Sequence, residues 1–206
     1  MISFLDDGPR GASTALLLAH GAGAPMDSGW MNAMAAALAG QDVHVIRFEF
    51  AYMAARRTGQ RKPPPRAERL LDEYRAAVDA LEPGARLLIG GKSLGGRVAS
   101  MVADELYDSG KIAGLVCLGY PFHPPGSPEK LRTSHLQGLR CPALICQGTR
   151  DPFGTREEVA GYALSPSIAL RWFHGDHDLK PKRADGVTLA ENLAEVAKAV
   201  SGWTGV

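Results

Sequence analysis

The apolar run Arg86 to Ile89 passes directly into Gly90-Gly91-Lys92-Ser93-Leu94-Gly95-Gly96, and a helix-compatible stretch, Arg97 to Leu106, follows at once. A strand that reverses into a helix within so few residues needs a turn too tight for most side chains, which explains glycines two positions before and two after Ser93. Such a turn lifts the Ser93 hydroxyl above the end of a sheet. It also aims a helix N-terminus, with the Leu94 backbone N–H, at whatever the hydroxyl attacks.

Two other readings of the glycines fail on spacing. Gly91-Lys92-Ser93 imitates the end of a phosphate-binding loop, but the first glycine of that motif falls at Arg86, inside a strand pattern. Gly21-Ala22-Gly23 begins like a dinucleotide fingerprint whose third glycine falls at Met26.

The rest of the chain supplies the matching scaffold. Ala15 to Ala19, Val43 to Phe48, Ala113 to Leu118, Pro142 to Cys146 and Ile168 to Phe173 are further strand-like runs. Amphipathic stretches separate them, notably Glu68 to Leu81 with Leu70, Leu71, Tyr74, Val78 and Leu81 on one stripe, and Leu189, Leu193, Val196 and Val200 near the end. Thr155 with Glu158 and Thr188 with Glu191 fit capping boxes. Strand and helix in alternation predict a mostly parallel sheet of about six or seven strands covered on both faces, in a single α/β domain spanning 1–206.

Lysine plus arginine (23) and aspartate plus glutamate (22) nearly cancel, so no global field favours nucleic acid or an anionic membrane. The acidic N-terminus and the short apolar run after it fit neither a signal peptide nor a span, and a cytoplasmic location is expected. Cys117, Cys141 and Cys146 form no framework and are expected to be buried, inert thiols. The histidines show no metal-ligand spacing, so neither metal nor organic cofactor is expected.

A serine hydroxyl is a poor nucleophile until an imidazole takes its proton, and a carboxylate must then hold that imidazole's tautomer. In the chain order such turns require, Asp151 follows the strand Pro142 to Cys146 and His177 follows the strand ending at Phe173. His177 is preferred to His174, which abuts the strand, and Asp151 to the neighbouring Asp176 and Asp178. The loop His20-Gly21-Ala22-Gly23 leaves a strand beside the turn, which makes the Ala22 N–H the candidate for a second oxyanion donor; His20, His44, His123 and His135 are read as structural.

These segments together resemble the small, lidless α/β-hydrolases of the dienelactone-hydrolase type, and within them bacterial relatives of the testis-expressed and nonspecific-lethal-complex hydrolase-like proteins. The resemblance runs through Ala19-His20-Gly21-Ala22-Gly23, Gly90 to Arg97, Gly119-Tyr120-Pro121-Phe122-His123-Pro124, Gln147 to Phe153 and Gly175-Asp176-His177-Asp178. It implies an α/β-hydrolase fold with no lid, Ser93, Asp151 and His177 as a triad, and Ala22 and Leu94 as oxyanion donors. Its implied activity is hydrolysis of a small ester or thioester through an acyl-serine; some eukaryotic relatives look like scaffold subunits, which leaves a non-catalytic alternative. Finally, Arg56, Arg57, Arg61, Lys62 and Arg66 fall in a stretch without acidic residues after the strand Val43 to Phe48. One or two of them, Arg56 and Arg57 first, are candidates to bind a carboxylate or phosphate on the substrate, with a solvated basic loop as the plainer alternative.

Overall fold

A computed structural model describes residues 2–60, 62–82 and 84–203. Its elements run β1 (Phe4–Asp7), β2 (Thr14–Ala19), α1 (Gly29–Ala39), β3 (Val43–Phe48), α2 (Ala51–Ala54), α3 (Leu71–Asp79), β4 (Arg86–Lys92), α4 (Leu94–Asp108), β5 (Gly114–Leu118), β6 (Ala143–Gly148), α5 (Arg156–Val159), β7 (Ile168–Phe173) and α6 (Leu189–Ser201). The seven strands form one sheet in the order β1-β3-β2-β4-β5-β6-β7. All neighbours pair in parallel except β1, which runs antiparallel along β3. That edge strand has no apolar run of its own and went unread in the sequence; its pairing with β3 and the Arg47–Asp7 ion pair (2.7 Å) hold it in place.

The period-2 alternation of β2 divides the core. Leu16 and Leu18 pack with Met31, Met34 and Leu38 of α1 and Leu193, Val196 and Val200 of α6. Ala15, Leu17 and Ala19 face the other layer, where Tyr74 and Val78 of α3 meet Val98, Val102 and Leu106 of α4. Helices therefore cover both faces, as parallel strands require. The expected helix from Glu68 is shorter and begins with a 3-10 turn at Ala67–Arg69, yet its stripe is buried at Leu70, Tyr74 and Val78. Both capping boxes are formed, Thr155 with Glu158 and Thr188 with Glu191.

Between β5 and β6, the described residues contain only a 3-10 turn, Ser134–Leu136, so no helical lid stands over the carboxyl edge of the sheet. All three cysteines are buried, and burial pushes the thiols of Cys141 and Cys146 up to about 12. Among the described residues no helix is long and apolar enough to cross a membrane, and no group of three potential metal ligands is present.

Candidate active site

At the end of β4 the backbone turns through Ser93 with φ 50° and ψ −113°, a conformation L residues rarely adopt, and α4 begins at Leu94. The neighbouring glycines show why the turn tolerates nothing larger. A Cβ on Gly95 would stand 2.6 Å from the carbonyl oxygens of both Ala19 and His20, and one on Gly91 would run into the Gly95 backbone. Packed this closely between the end of β2 and the start of α4, the serine is held in a strained position by its surroundings.

Loops from β6 and β7 bring two more side chains to it. His177 Nε2 lies 2.8 Å from Ser93 Oγ, and His177 Nδ1 lies 2.8 Å from Asp151 Oδ2. A carboxylate only accepts, so the proton on the ring sits at Nδ1 and the Nε2 lone pair faces the serine hydroxyl. Asp151 is fully buried; its Oδ2 also accepts from Gln147 Nε2 (2.9 Å), and its Oδ1 accepts from the Phe153 N–H (2.8 Å). Three donors thus fix the carboxylate, while the Phe153 ring packs against the imidazole at a 31° tilt with centroids 4.1 Å apart. The arrangement is able to move a proton off Ser93 at the moment of attack.

The rival residues are exposed or engaged by other partners. His174 is exposed, Asp176 Oδ1 accepts the backbone N–H groups of Asp178 and Lys180, and Asp178 pairs with Lys92. Ser100 and His135 also make a 2.8 Å contact, but Ser100 is buried within α4 and donates to the Arg97 carbonyl. Among the described residues no carboxylate holds the His135 ring, and burial lowers its pKa to about 4.

Over Ser93 opens a cleft of about 300 Å³, lined by Gly21 to Ala24 and by Trp30, Met31, Lys92, Phe153, His177 and Asp178. A larger hollow of about 580 Å³ lies among Ile2, Met26, Phe48, Glu49, Arg57 and Glu73, but Ser93, Asp151 and His177 do not line it, so the smaller cleft is the candidate site. Neither the Ala22 N–H nor the Leu94 N–H has an acceptor among the described residues. Both flank Ser93, Leu94 as the next residue and Ala22 on the loop whose Gly21 would place a Cβ 3.8 Å from that of Ser93.

Two residues that the sequence did not single out fasten the loop carrying His177. Lys92, whose side chain is only 8% exposed, donates from Nζ to the His177 carbonyl (2.7 Å), pairs with Asp178 (3.2 Å) and lies 5.4 Å over the Trp30 ring. Trp30 Nε1 donates to the Asp178 carbonyl (2.8 Å). Burial lowers the Lys92 pKa, and Asp178 opposes that shift. Only the fold reveals this clamp, because Lys92 and His177 are far apart in sequence.

In the basic stretch, Arg56 and Arg57 have partners of their own. Arg57 forks onto Glu49 (2.7 Å) and Asp27 (2.8 Å), acidic partners outside the stretch where none was visible, and those hydrogen bonds hold its pKa well above the usual range. Arg56 donates to the Lys62 carbonyl (3.2 Å) and lies 5.7 Å over the Tyr52 ring. Neither lines the cleft, and Arg61 lies outside the described residues. The cation that does reach the cleft is Lys92.

A family model described as an alpha/beta hydrolase domain matches residues 12–205. Among solved structures, a dienelactone hydrolase from Anabaena variabilis is 22% identical with a TM-score of 0.73, over 98% of this chain and 90% of that one. A serine hydrolase without a lid from Xanthomonas campestris is 19% identical with a TM-score of 0.72, over 98% and 91%. Est1E from Butyrivibrio proteoclasticus is 16% identical with a TM-score of 0.70, over 97% and 91%. At these identities the likeness to the solved structures is one of fold.

Proposed function

The chain belongs to the alpha/beta hydrolase family, and on that premise we propose that it is a serine hydrolase that cleaves small ester or thioester substrates. One observation carries the reading: Ser93, His177 and Asp151 stand in hydrogen-bonded series, each step 2.8 Å, with the serine on a strained turn at the floor of a cleft. As the substrate carbonyl approaches, Ser93 Oγ attacks while its proton passes to His177 Nε2. Asp151 keeps the ring oriented and stabilises its charge. The Ala22 and Leu94 N–H groups receive the oxyanion. His177 then returns the proton to the leaving alcohol or thiol, and a water activated by the same nitrogen releases the acid from acyl-Ser93.

A cleft of about 300 Å³ that no lid covers suits a small or extended substrate better than a lipid at an interface. The stretches Ala19 to Gly23 and Gly90 to Arg97 support a place beside the testis-expressed and nonspecific-lethal-complex hydrolase-like proteins. Fluorophosphonate labelling tests the chemistry: the wild type reacts, whereas Ser93→Ala and His177→Ala do not. A folded wild type that takes up no probe and hydrolyses no ester sinks the enzymatic reading in favour of a scaffold.

A further inference from the structure

His20 is fully buried at the end of β2 and has no polar role in the proton relay. Its two ring nitrogens are nevertheless both engaged by backbone. Nε2 lies 3.2 Å from the Phe50 nitrogen and accepts from that N–H, so it carries no proton. Nδ1 therefore carries one and donates it to the Gly21 carbonyl at 2.6 Å. Burial lowers the pKa of the ring, which favours this neutral form. The Tyr52 hydroxyl, with a single proton to donate, lies 3.1 Å from the Ala22 oxygen and 3.4 Å from the Gly21 oxygen, so its nearer acceptor is on the next peptide and His20 is the closer donor to Gly21.

The Gly21 carbonyl and the Ala22 N–H belong to one peptide unit, and no peptide bond in the described residues is cis. In a planar trans unit the C=O and N–H vectors are opposed. A carbonyl drawn toward the buried imidazole turns its N–H away from it; the Ala22 N–H has no acceptor among the described residues, and Gly21 and Ala22 line the cleft over Ser93. Glycine at 21 leaves this peptide free to rotate, since little in the backbone itself opposes a flip. We propose that His20 is a positioning residue that holds the Gly21–Ala22 peptide with its N–H toward the oxyanion, and that the site loses that donor when the Nδ1 hydrogen bond is removed. The inference rests on the esterase reading of the Ser93 site.

Two near-isosteric replacements separate the nitrogens. In His20→Asn the amide nitrogen occupies the place of Nδ1 and keeps the bond to Gly21, while the acceptor for Phe50 is lost. In His20→Gln the amide reaches the place of Nε2 and its oxygen accepts from Phe50, while the Gly21 donor is lost. Expected for His20→Gln is a fall in kcat of about a hundredfold or more with KM little changed. The affinity for a boronic acid that forms a tetrahedral adduct on Ser93 should fall in step. His20→Asn should keep kcat within several-fold of wild type. Equal kcat in wild type and His20→Gln, or a hundredfold loss in His20→Asn, overturns the proposal; the second result decides it even where His20→Gln does not fold. A wild type that neither turns over esters nor labels defeats the esterase reading instead. The orientation of the 21–22 peptide in crystals of His20→Gln then judges the inference alone: flipped supports it, unflipped ends it.

Discussion

Replacing Lys92 with methionine keeps most of the volume of the side chain and removes its charge. The His177 carbonyl then loses its donor, at a cost of about 1–3 kcal/mol for a polar group left unpaired, and the contact over Trp30 is worth roughly 0.5–1 kcal/mol more. Against that stands relief of the desolvation borne by a buried ammonium, which the lowered pKa of Lys92 expresses. These contributions oppose each other, so global stability should move by no more than about 1–2 kcal/mol. The effect on chemistry is larger under the proposed mechanism, because the His177 carbonyl loses its donor, and what then holds the residue is Trp30 on the next carbonyl, Asp151 and Ser93 on the ring and the Phe153 ring beside it. A displacement of about 1 Å in a reacting group costs up to about a hundredfold in rate. Expected for Lys92→Met is a fall in kcat of about 10–100-fold, KM within a few-fold and a urea midpoint close to wild type. Turnover of a soluble aryl ester beside a urea denaturation curve measures all three. Undiminished kcat refutes the clamp, and a loss of kcat that merely tracks unfolding reduces Lys92 to a packing residue.

Gly95→Ala should destabilise by about 1–3 kcal/mol and cut turnover severely, because a Cβ there stands 2.6 Å from two backbone oxygens and the turn must shift; urea denaturation with probe labelling reads both, and a wild-type midpoint with full labelling contradicts the packing argument. Arg57→Glu should weaken stability by about 1–3 kcal/mol, because it removes the partner of Glu49, whose side chain is only 5% exposed, and sets a third carboxylate beside it and Asp27, yet leave the preference between neutral and anionic esters unchanged; an altered preference would return this arginine to the substrate site. His135 titrates near 4 in the folded chain against an ordinary 6.5, so below 6.5 the unfolded chain binds more protons and stability falls as pH drops toward 4. The loss attributable to this ring is on the order of 1–3 kcal/mol, and thermal melts of His135→Gln should show a shallower slope in that window than wild type. Parallel slopes would place the acid sensitivity elsewhere.

What the sequence discloses of this molecule is what local chemistry forces. The elbow at Ser93 is legible because steric exclusion acts within a few residues, on Gly91 and Gly95, and the helix boundaries at Thr155 and Thr188 are legible because a capping box closes over three. Asp151 and His177 could be placed because parallel strands all deliver their following loops to one edge, so that order along the chain translates into position around a single rim. Charge partners do not obey such a rule. The stretch from Arg56 to Arg66 looked like unopposed cation because Glu49 and Asp27 lie outside it, and the same blindness hid Asp7 beneath Arg47 and with it the edge strand β1.

The side chains missed inside the site share a further property. Lys92, Trp30 and Gln147 all act on backbone or on another side chain, and residues of those types are common for ordinary reasons. Gln147 shows how far such a partner reaches. Its Nε2 and the His177 Nδ1 both donate to the same oxygen of Asp151, whereas the other oxygen receives only the Phe153 N–H. An amide at 151 must turn its NH₂ toward one set of donors. Facing Phe153 it meets one N–H and leaves the His177 tautomer intact; facing His177 it meets Gln147 and also drives the proton of the ring to Nε2. The first arrangement has fewer conflicts, so Asp151→Asn should retain the productive tautomer and lose chiefly the charge that steadies the imidazolium. Its deficit in kcat should therefore fall short of the roughly 10⁴-fold that a reversed tautomer brings, and removing the Gln147 donor with Gln147→Leu in that background should deepen it. Steady-state rates of the two variants decide the point: a double variant as active as Asp151→Asn alone would show that Gln147 does not choose the orientation of the amide.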